Sequence, residues 1–122
     1  LNCSFFSKYD ELVNWRYSFN IFSISLISSV NLLAKLKIKD GDRDNFIEAM
    51  GKLVQAVADN EPDCFYYEMH ETDDPQTIMM IELYKTEEAH QSHSQTEHFK
   101  TLGMALAPFM AGAPEITVHK KV

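Results

Sequence analysis

The segment CFYYEMHETDDPQTIMMIELY, Cys64 to Tyr84, decides the fold because it contains two strand-like runs joined by a turn. Cys64–Glu71 is rich in aromatic residues and Thr77–Tyr84 in β-branched and other apolar ones, a composition that favours β-strands. Between them, Thr72-Asp73-Asp74-Pro75 has the residue types of a turn. The segment therefore predicts a β-hairpin.

Upstream of the hairpin, the residues from Asn31 to Lys39 alternate along the chain. Leu32, Ala34 and Leu36 share one side of an extended backbone. The other side carries Leu33, Lys35, Lys37 and Lys39. This period of two predicts a half-buried first strand over residues 31–39.

A helix is predicted between this strand and the hairpin. Asp40-Gly41-Asp42 is a turn sequence, and the Asp42 side chain is suited to cap a helix that begins near Arg43. Asn60-Glu61-Pro62 ends the helix, because a residue before proline is disfavoured in the helical region. The apolar residues that fall on one helical face are Phe46, Met50, Leu53 and Val57.

Two further helical stretches and a last strand follow the hairpin. Thr86 is a predicted N-cap of a short helix that reaches about Ser92. The second stretch ends at Gly112-Ala113-Pro114, and Glu115–Val122 is predicted as the fourth strand. The apolar face of the second stretch consists of Phe99, Leu102, Leu106 and Phe109.

The order βαββαβ predicts an α+β, ferredoxin-like domain with a four-stranded antiparallel sheet and helices on one face. The other face of the sheet is left uncovered. We expect a homodimer that closes two such sheets into a dimeric α+β barrel. The residues expected on the uncovered face are Leu33, Tyr66, Glu68 and Thr117.

Bulk properties exclude several functions and fix the expected boundaries. The 122 residues suit one domain, which we assign to residues 31–122, with residues 1–30 as an N-terminal extension of no assigned function. A net charge of -7 opposes nucleic-acid binding. The apolar run Phe19–Val30 is too short for a membrane span and lacks the features of a secretory signal. Cys3 and Cys64 do not suggest a disulfide framework, which favours the cytoplasm.

Glu82 and Tyr84 lie two apart on the third predicted strand, so they share a face with Met80. A carboxylate among such neighbours can belong to a ligand site. The alternative is structural: Glu82 reaches solvent or a backbone donor at the strand end, and Tyr84 is an ordinary rim aromatic.

Three of the five histidines, His90, His93 and His98, lie close together in the sequence. A metal site is possible in principle, but no Cys or Asp joins them at ligand spacing, so none is predicted. His93 follows Ala89 by four residues and should face inward, whereas His90 should face water. His93 and His98 are either structural or point into a cavity, where an imidazole can transfer protons.

The segment Glu82–Lys100, ELYKTEEAHQSHSQTEHFK, resembles the antibiotic biosynthesis monooxygenase family, in which E-x-[WY] is followed by an acidic helix start and H-x4-H-[FY]. Glu82, Tyr84, His93, His98 and Phe99 fall in register with that pattern. CFYYEMH, Cys64–His70, is similar to another strand of the family. The Tyr84-Lys85 form of the motif looks closer to the quinol-oxygenase and autoinducer-2-processing branches than to the haem-degrading one.

The resemblance implies a dimeric, cofactor-independent monooxygenase that acts on a small quinol or hydroxyaromatic substrate with dioxygen. We expect His93 to be the base or proton relay, with Tyr84 and His98 orienting the substrate oxygen. Two alternatives stay open: a proton-transfer isomerase of a small, autoinducer-2-like metabolite, and a non-catalytic dimeric protein that binds a small ligand. No metal, nucleic acid or membrane partner is expected. The expected substrate-binding residues are Tyr67, His70, Met80, Glu82 and Phe99.

Overall fold

The computed structural model describes residues 28–122, so residues 19–27 of the apolar run at 19–30 lie outside the described residues. The order of elements confirms the predicted βαββαβ arrangement, and the domain has the ferredoxin-like α+β fold. The second helical stretch is divided into an α-helix and a 3-10 turn. The elements are β1 (Val30–Lys37), α1 (Arg43–Asn60), β2 (Cys64–Glu71), β3 (Thr77–Tyr84), α2 (Glu87–His93), α3 (Glu97–Met104), a 3-10 turn (Ala107–Phe109) and β4 (Glu115–Lys120).

The four strands form one antiparallel sheet in the order β2-β3-β1-β4. The register places Glu82 of β3 between Leu32 of β1 and Tyr67 of β2, on one face. β1 starts one residue before the predicted Asn31 and ends at Lys37, and Ile38 forms only an isolated bridge with Met110. Glu82 therefore lies near the middle of the sheet, on the face that the helices cover.

The core lies between this inner face and the helices. The predicted apolar stripe of α1 is confirmed, with Phe46 and Leu53 almost fully buried against Ile78 and Met80 of β3. Burial of each such side chain contributes roughly 1.5–3 kcal/mol to folding. The core therefore fixes α1, and with it the end of α1, against the sheet.

The start of α1 differs in detail from the prediction. Within the described residues, the Asp42 side chain makes no capping hydrogen bond, and its backbone carbonyl accepts from the N–H of Phe46 at 2.9 Å. Gly41 precedes it with a φ of 82°, a left-handed conformation that favours glycine. The backbone conformation, rather than a side-chain cap, therefore determines the start of α1.

The outer face of the sheet carries the residues predicted to be uncovered. Leu33 is 36% exposed and Tyr66 is 40% exposed, while Glu68 and Thr117 are also exposed on this face. No helix in residues 28–122 lies against them. A β-bulge between Cys64 and Tyr66 shifts the register of β2 next to this surface.

β4 is an edge strand that ends at Lys120, not at the predicted Val122. Ile116 and Val118 point to the inner face, but they are 55% and 50% exposed because the helices do not extend over this edge. The inner face is therefore open beside β4. In the described part of the chain, no helix has both the length and the apolar character needed to cross a bilayer.

Candidate active site

An apolar cavity of about 750 Å³ lies between the inner face of the sheet and the helices, a size that suits a small organic ligand. Its floor is made of buried side chains, and its rim includes the well-exposed Met104 and Ile116 beside the open edge of the sheet. The lining residues that carry polar side chains are Tyr67, Glu82 and Lys100. Of the predicted binding residues, Tyr67, Met80, Glu82 and Phe99 line this cavity.

Glu82 is the carboxylate of the cavity wall and is only 8% exposed. The Tyr84 hydroxyl donates a hydrogen bond to its Oε2 at 2.7 Å. Burial raises the pKa of Glu82 above the usual range, although the bond from Tyr84 and the nearby His93 ring act in the opposite direction. The structural alternative of a solvent-facing Glu82 and a rim Tyr84 is therefore wrong.

The two tyrosines of the inner face stay protonated. Burial, followed by the nearby Glu82 carboxylate, raises the pKa of both Tyr67 and Tyr84. Tyr67 lines the cavity, whereas Tyr84 is fully buried behind the wall with its hydroxyl on Glu82. Tyr84 therefore positions the Glu82 carboxylate and does not itself line the cavity.

His93 lies directly behind the cavity wall. Its ring packs against the rings of Tyr67 and Phe99, with centroids 5.1 and 4.7 Å apart, and both of these residues line the cavity. Its Nδ1 atom is 2.9 and 3.0 Å from the two carboxylate oxygens of Glu61. Its Nε2 atom is buried and has no hydrogen-bond partner among residues 28–122.

Glu61 joins His93 and His98 into one group, here named the histidine–carboxylate cluster. Nε2 of His98 lies 2.6 Å from Glu61 Oε2, the oxygen that also faces His93. All three side chains are largely buried, with Glu61 only 11% exposed. Prediction from sequence did not include Glu61, because it precedes the histidines by 32 and 37 residues and lies in a segment predicted to end a helix.

Two threonine caps set the positions of the histidines. The Thr86 side chain accepts from the N–H of Ala89 at the start of α2, which confirms the predicted cap. Thr96 caps α3 by accepting from the N–H of Phe99, and its hydroxyl donates to the carbonyl of His93 at 2.7 Å. This short connection places the last residue of α2 and the second residue of α3 on either side of Glu61.

The cluster also has the composition of a metal-binding site. The ligand atoms of Glu61, His93 and His98 lie within 4.8 Å of one another. Two imidazoles and one carboxylate form a common set of zinc ligands. Sequence spacing did not predict a metal site here because the third ligand comes from a distant element.

The remaining predicted residues lie elsewhere. His70 is on the outer face, where its Nε2 atom is 2.9 Å from the Tyr66 hydroxyl, so the structure does not bring it to the cavity. His98 contacts Glu61 and does not line the cavity. His90 is half-buried, with its ring 5.2 Å from that of Tyr84, so it faces water only in part.

Cys64 lies on the inner face near both carboxylates. Burial, then the charges of Glu61 and Glu82, raises the pKa of its thiol to about 12. The thiol is therefore protonated at neutral pH and is a poor nucleophile.

The fold and this site define a small α+β domain with a buried carboxylate and a histidine at the wall of an apolar cavity. The sequence profile of the antibiotic biosynthesis monooxygenase family matches residues 29–102, more than half of the chain. The chain belongs to this family, as the resemblance of the segment 82–100 predicted. Membership supports a monooxygenase-like role.

Solved structures agree with this assignment. A Caulobacter crescentus protein that bears the family's name is 30% identical, with a TM-score of 0.75 over 79% of this chain and 92% of its own. A conserved protein from Methanosarcina mazei is 22% identical with a TM-score of 0.75, covering 84% of this chain and 99% of its own. A Nitrosomonas europaea protein that bears the family's name is 21% identical, with a TM-score of 0.71 over 77% and 90%. The latter two show the shared fold. No curated protein matches the chain at significant similarity.

Proposed function

We propose that this protein is a cofactor-independent monooxygenase that oxidises a small quinol or hydroxyaromatic compound with dioxygen. The observation that carries the proposal is the environment of the two ring nitrogens of His93. Nδ1 is hydrogen-bonded to Glu61, and Nε2 is buried behind the wall of an apolar cavity with no partner in the described part of the chain. A site of this kind can accept a proton in a place from which water is excluded.

The hydrogen bond to Glu61 sets the tautomer of His93. A carboxylate only accepts hydrogen bonds, so the neutral ring carries its proton on Nδ1 and donates it to Glu61. The lone pair then lies on Nε2. The same logic orients the histidine of a serine-protease triad through a buried aspartate.

Proton removal from the substrate begins at the cavity wall. Glu82 lines the cavity, and its raised pKa suits a group that accepts a proton from a hydroxyl. We assign the role of relay to His93, because its ring packs against Tyr67, the cross-strand neighbour of Glu82 in the cavity lining. Tyr84 and His98 do not orient the substrate directly in this scheme; they hold the carboxylates of Glu82 and Glu61.

The oxidation needs no cofactor, because an electron-rich phenolate can reduce dioxygen itself. For hydroquinone, one oxygen atom replaces hydrogen in a ring C–H bond, and the other leaves as water. Hydroquinone and dioxygen thus give hydroxybenzoquinone and water, and the substrate supplies all four electrons. The protein contributes the base and a cavity with few polar groups, which protects the intermediate from water.

The test is oxygen uptake with hydroquinone in metal-free buffer, with ¹⁸O₂ to detect one labelled atom in the product. We expect His93→Ala and His93→Gln to reduce uptake by about 10²-fold or more, the lower end of the range for loss of a proton-transfer group. Gln91→Ala is the control, because Gln91 is exposed on the same helix as His93. Circular dichroism establishes that each variant is folded.

Unchanged uptake in a folded His93 variant would refute the proposed role of His93. Product formation that continues without dioxygen would favour the isomerase instead. Saturable ligand binding with no turnover, and with His93 dispensable, would favour the binding protein.

We also propose that two copies of the chain associate through the outer face of the sheet. Its exposed Leu33 and Tyr66 form an apolar surface, and burial of this surface would stabilise a dimer. Sedimentation at micromolar protein concentration tests this, and a monomer would rule out the barrel.

A further inference from the structure

We propose that the histidine–carboxylate cluster is a binding site for a divalent transition-metal ion, with Zn²⁺ as the ion that its ligands suit best, and that metal binding inactivates His93. The binding part of this inference depends only on the cluster. The inhibitory part rests on the function proposed above.

The cluster supplies three ligands from three different elements. Glu61 follows the last residue of α1, His93 ends α2, and His98 lies in the first turn of α3. Zn²⁺ binds imidazole nitrogen and carboxylate oxygen at roughly 2.0–2.2 Å, and catalytic sites with two histidines and one glutamate leave a fourth position open. The chemical types of these ligands and their number therefore match a known type of zinc site.

The geometry allows the ion to replace the protons that now join these groups. The three ligand atoms lie within 4.8 Å of one another, and ligands of a tetrahedral zinc ion would be about 3.4 Å apart. Small shifts of the side chains are enough to convert one arrangement into the other. Metal binding at such a site displaces these protons from the coordinating nitrogens, because the ion takes the lone pairs that the protons occupied.

The charge around the cluster also favours a cation. Glu61 and Glu82 are both largely buried, and each disfavours ionisation of neighbouring acidic groups. Within residues 28–122, neither carboxylate forms an ion pair with a lysine or arginine. A dication beside Glu61 would supply the positive charge that this part of the core lacks.

Metal binding has a direct consequence for His93. The ring faces the cluster with Nδ1, so the ion would occupy the Nδ1 lone pair. The proton of the neutral ring must then reside on Nε2, the atom that the proposed reaction needs as an acceptor. Zinc binding would therefore convert His93 from the tautomer that can accept a proton on Nε2 to the tautomer that cannot.

The experiment uses the full chain and Zn²⁺ alone. We expect equilibrium dialysis to give one tightly bound Zn²⁺ per chain, and binding to weaken by about tenfold or more in Glu61→Gln, His98→Ala and His98→Asn. His119→Ala is the control that should keep the ion. Circular dichroism establishes that each variant is folded. Two His98 variants are used so that the test can still be made if one of them does not fold.

Nitrogen NMR of the His93 ring gives a readout that does not need activity. We expect Zn²⁺ to move the ring proton from Nδ1 to Nε2, and oxygen uptake to fall in proportion to occupancy. Absence of stoichiometric binding, or binding that survives in folded Glu61 and His98 variants, would overturn the site. Bound zinc with an unchanged His93 tautomer would overturn the inhibition. If the protein consumes no oxygen at all, the proposed oxygenase fails, and dialysis and NMR still decide the metal site.

Discussion

Replacement of Glu61 by glutamine tests whether the cluster sets the chemistry of His93. Glutamine has nearly the same shape, but it presents one carbonyl oxygen and one N–H₂ group where the carboxylate presents two acceptors. In the wild type, Oε2 lies 2.9 Å from His93 and 2.6 Å from His98, so both rings depend on acceptors. If the carbonyl oxygen of glutamine takes the Oε2 position, its N–H₂ group takes the Oε1 position, 3.0 Å from Nδ1 of His93, where it meets another donor.

The stability effect follows from these two bonds. Hydrogen bonds to a charged group contribute about 1.5–3 kcal/mol, roughly twice the value for neutral pairs. Replacing two charged bonds by neutral ones should therefore cost about 2–3 kcal/mol, reduced by the desolvation of the carboxylate that the variant no longer needs. Urea denaturation measures this as a lower midpoint with an unchanged m-value.

The effect on activity should be larger. When the amide N–H₂ group faces Nδ1 of His93, the ring accepts there and carries its proton on Nε2, which removes the acceptor. The equivalent change in a serine protease lowers kcat by about 10⁴-fold, and we expect a decrease of about 10²- to 10⁴-fold here. KM should change little, because Glu61 does not line the cavity.

Steady-state oxygen uptake separates kcat from KM, and Glu97→Gln is the matched control. Glu97 is exposed in the first turn of α3, so this variant removes an equal charge without touching the cluster. A folded Glu61→Gln protein with wild-type kcat would refute the role given to the cluster. A rise in KM with unchanged kcat would place Glu61 in substrate binding instead.

Other predictions concern stability. Tyr84→Phe leaves the buried Glu82 carboxylate without its 2.7 Å donor and should cost about 1–3 kcal/mol in urea denaturation; a negligible loss would contradict this bond. Burial raises the pKa of Glu82, so the wild type should lose stability relative to Glu82→Gln as pH rises from below 4.5 through the pKa of Glu82 in the folded protein. A difference between the free energies of unfolding of the two proteins that does not vary with pH would refute this. Gly51→Ala, inside α1 with open space around it, should stabilise by about 0.5–1 kcal/mol, whereas Gly41→Ala at φ 82° should destabilise by about 1 kcal/mol; shifts of the same sign would contradict this pair.

The repeated patterns of the sequence determined the elements of this protein. Alternation over residues 31–37 and the stripe from Phe46 to Val57 are local consequences of backbone geometry, so the strand, the helix and their buried faces follow without a tertiary model. The shared face of Glu82 and Tyr84 follows for the same reason. Alternation does not determine how many residues of a strand pair with its neighbours. For this reason β1 and β4 are shorter than predicted.

Only the tertiary structure decided which groups meet. Glu61 reaches His93 and His98 because packing of the α1 stripe on the sheet brings the end of α1 beside the α2–α3 connection, across more than thirty residues. Packing of the helices likewise decided that the Tyr67 face of β2 borders the cavity, which leaves His70, on the opposite face, away from it. Local periodicity fixes the side to which a residue points along its own element, whereas contacts between distant elements depend on how their buried faces pack together.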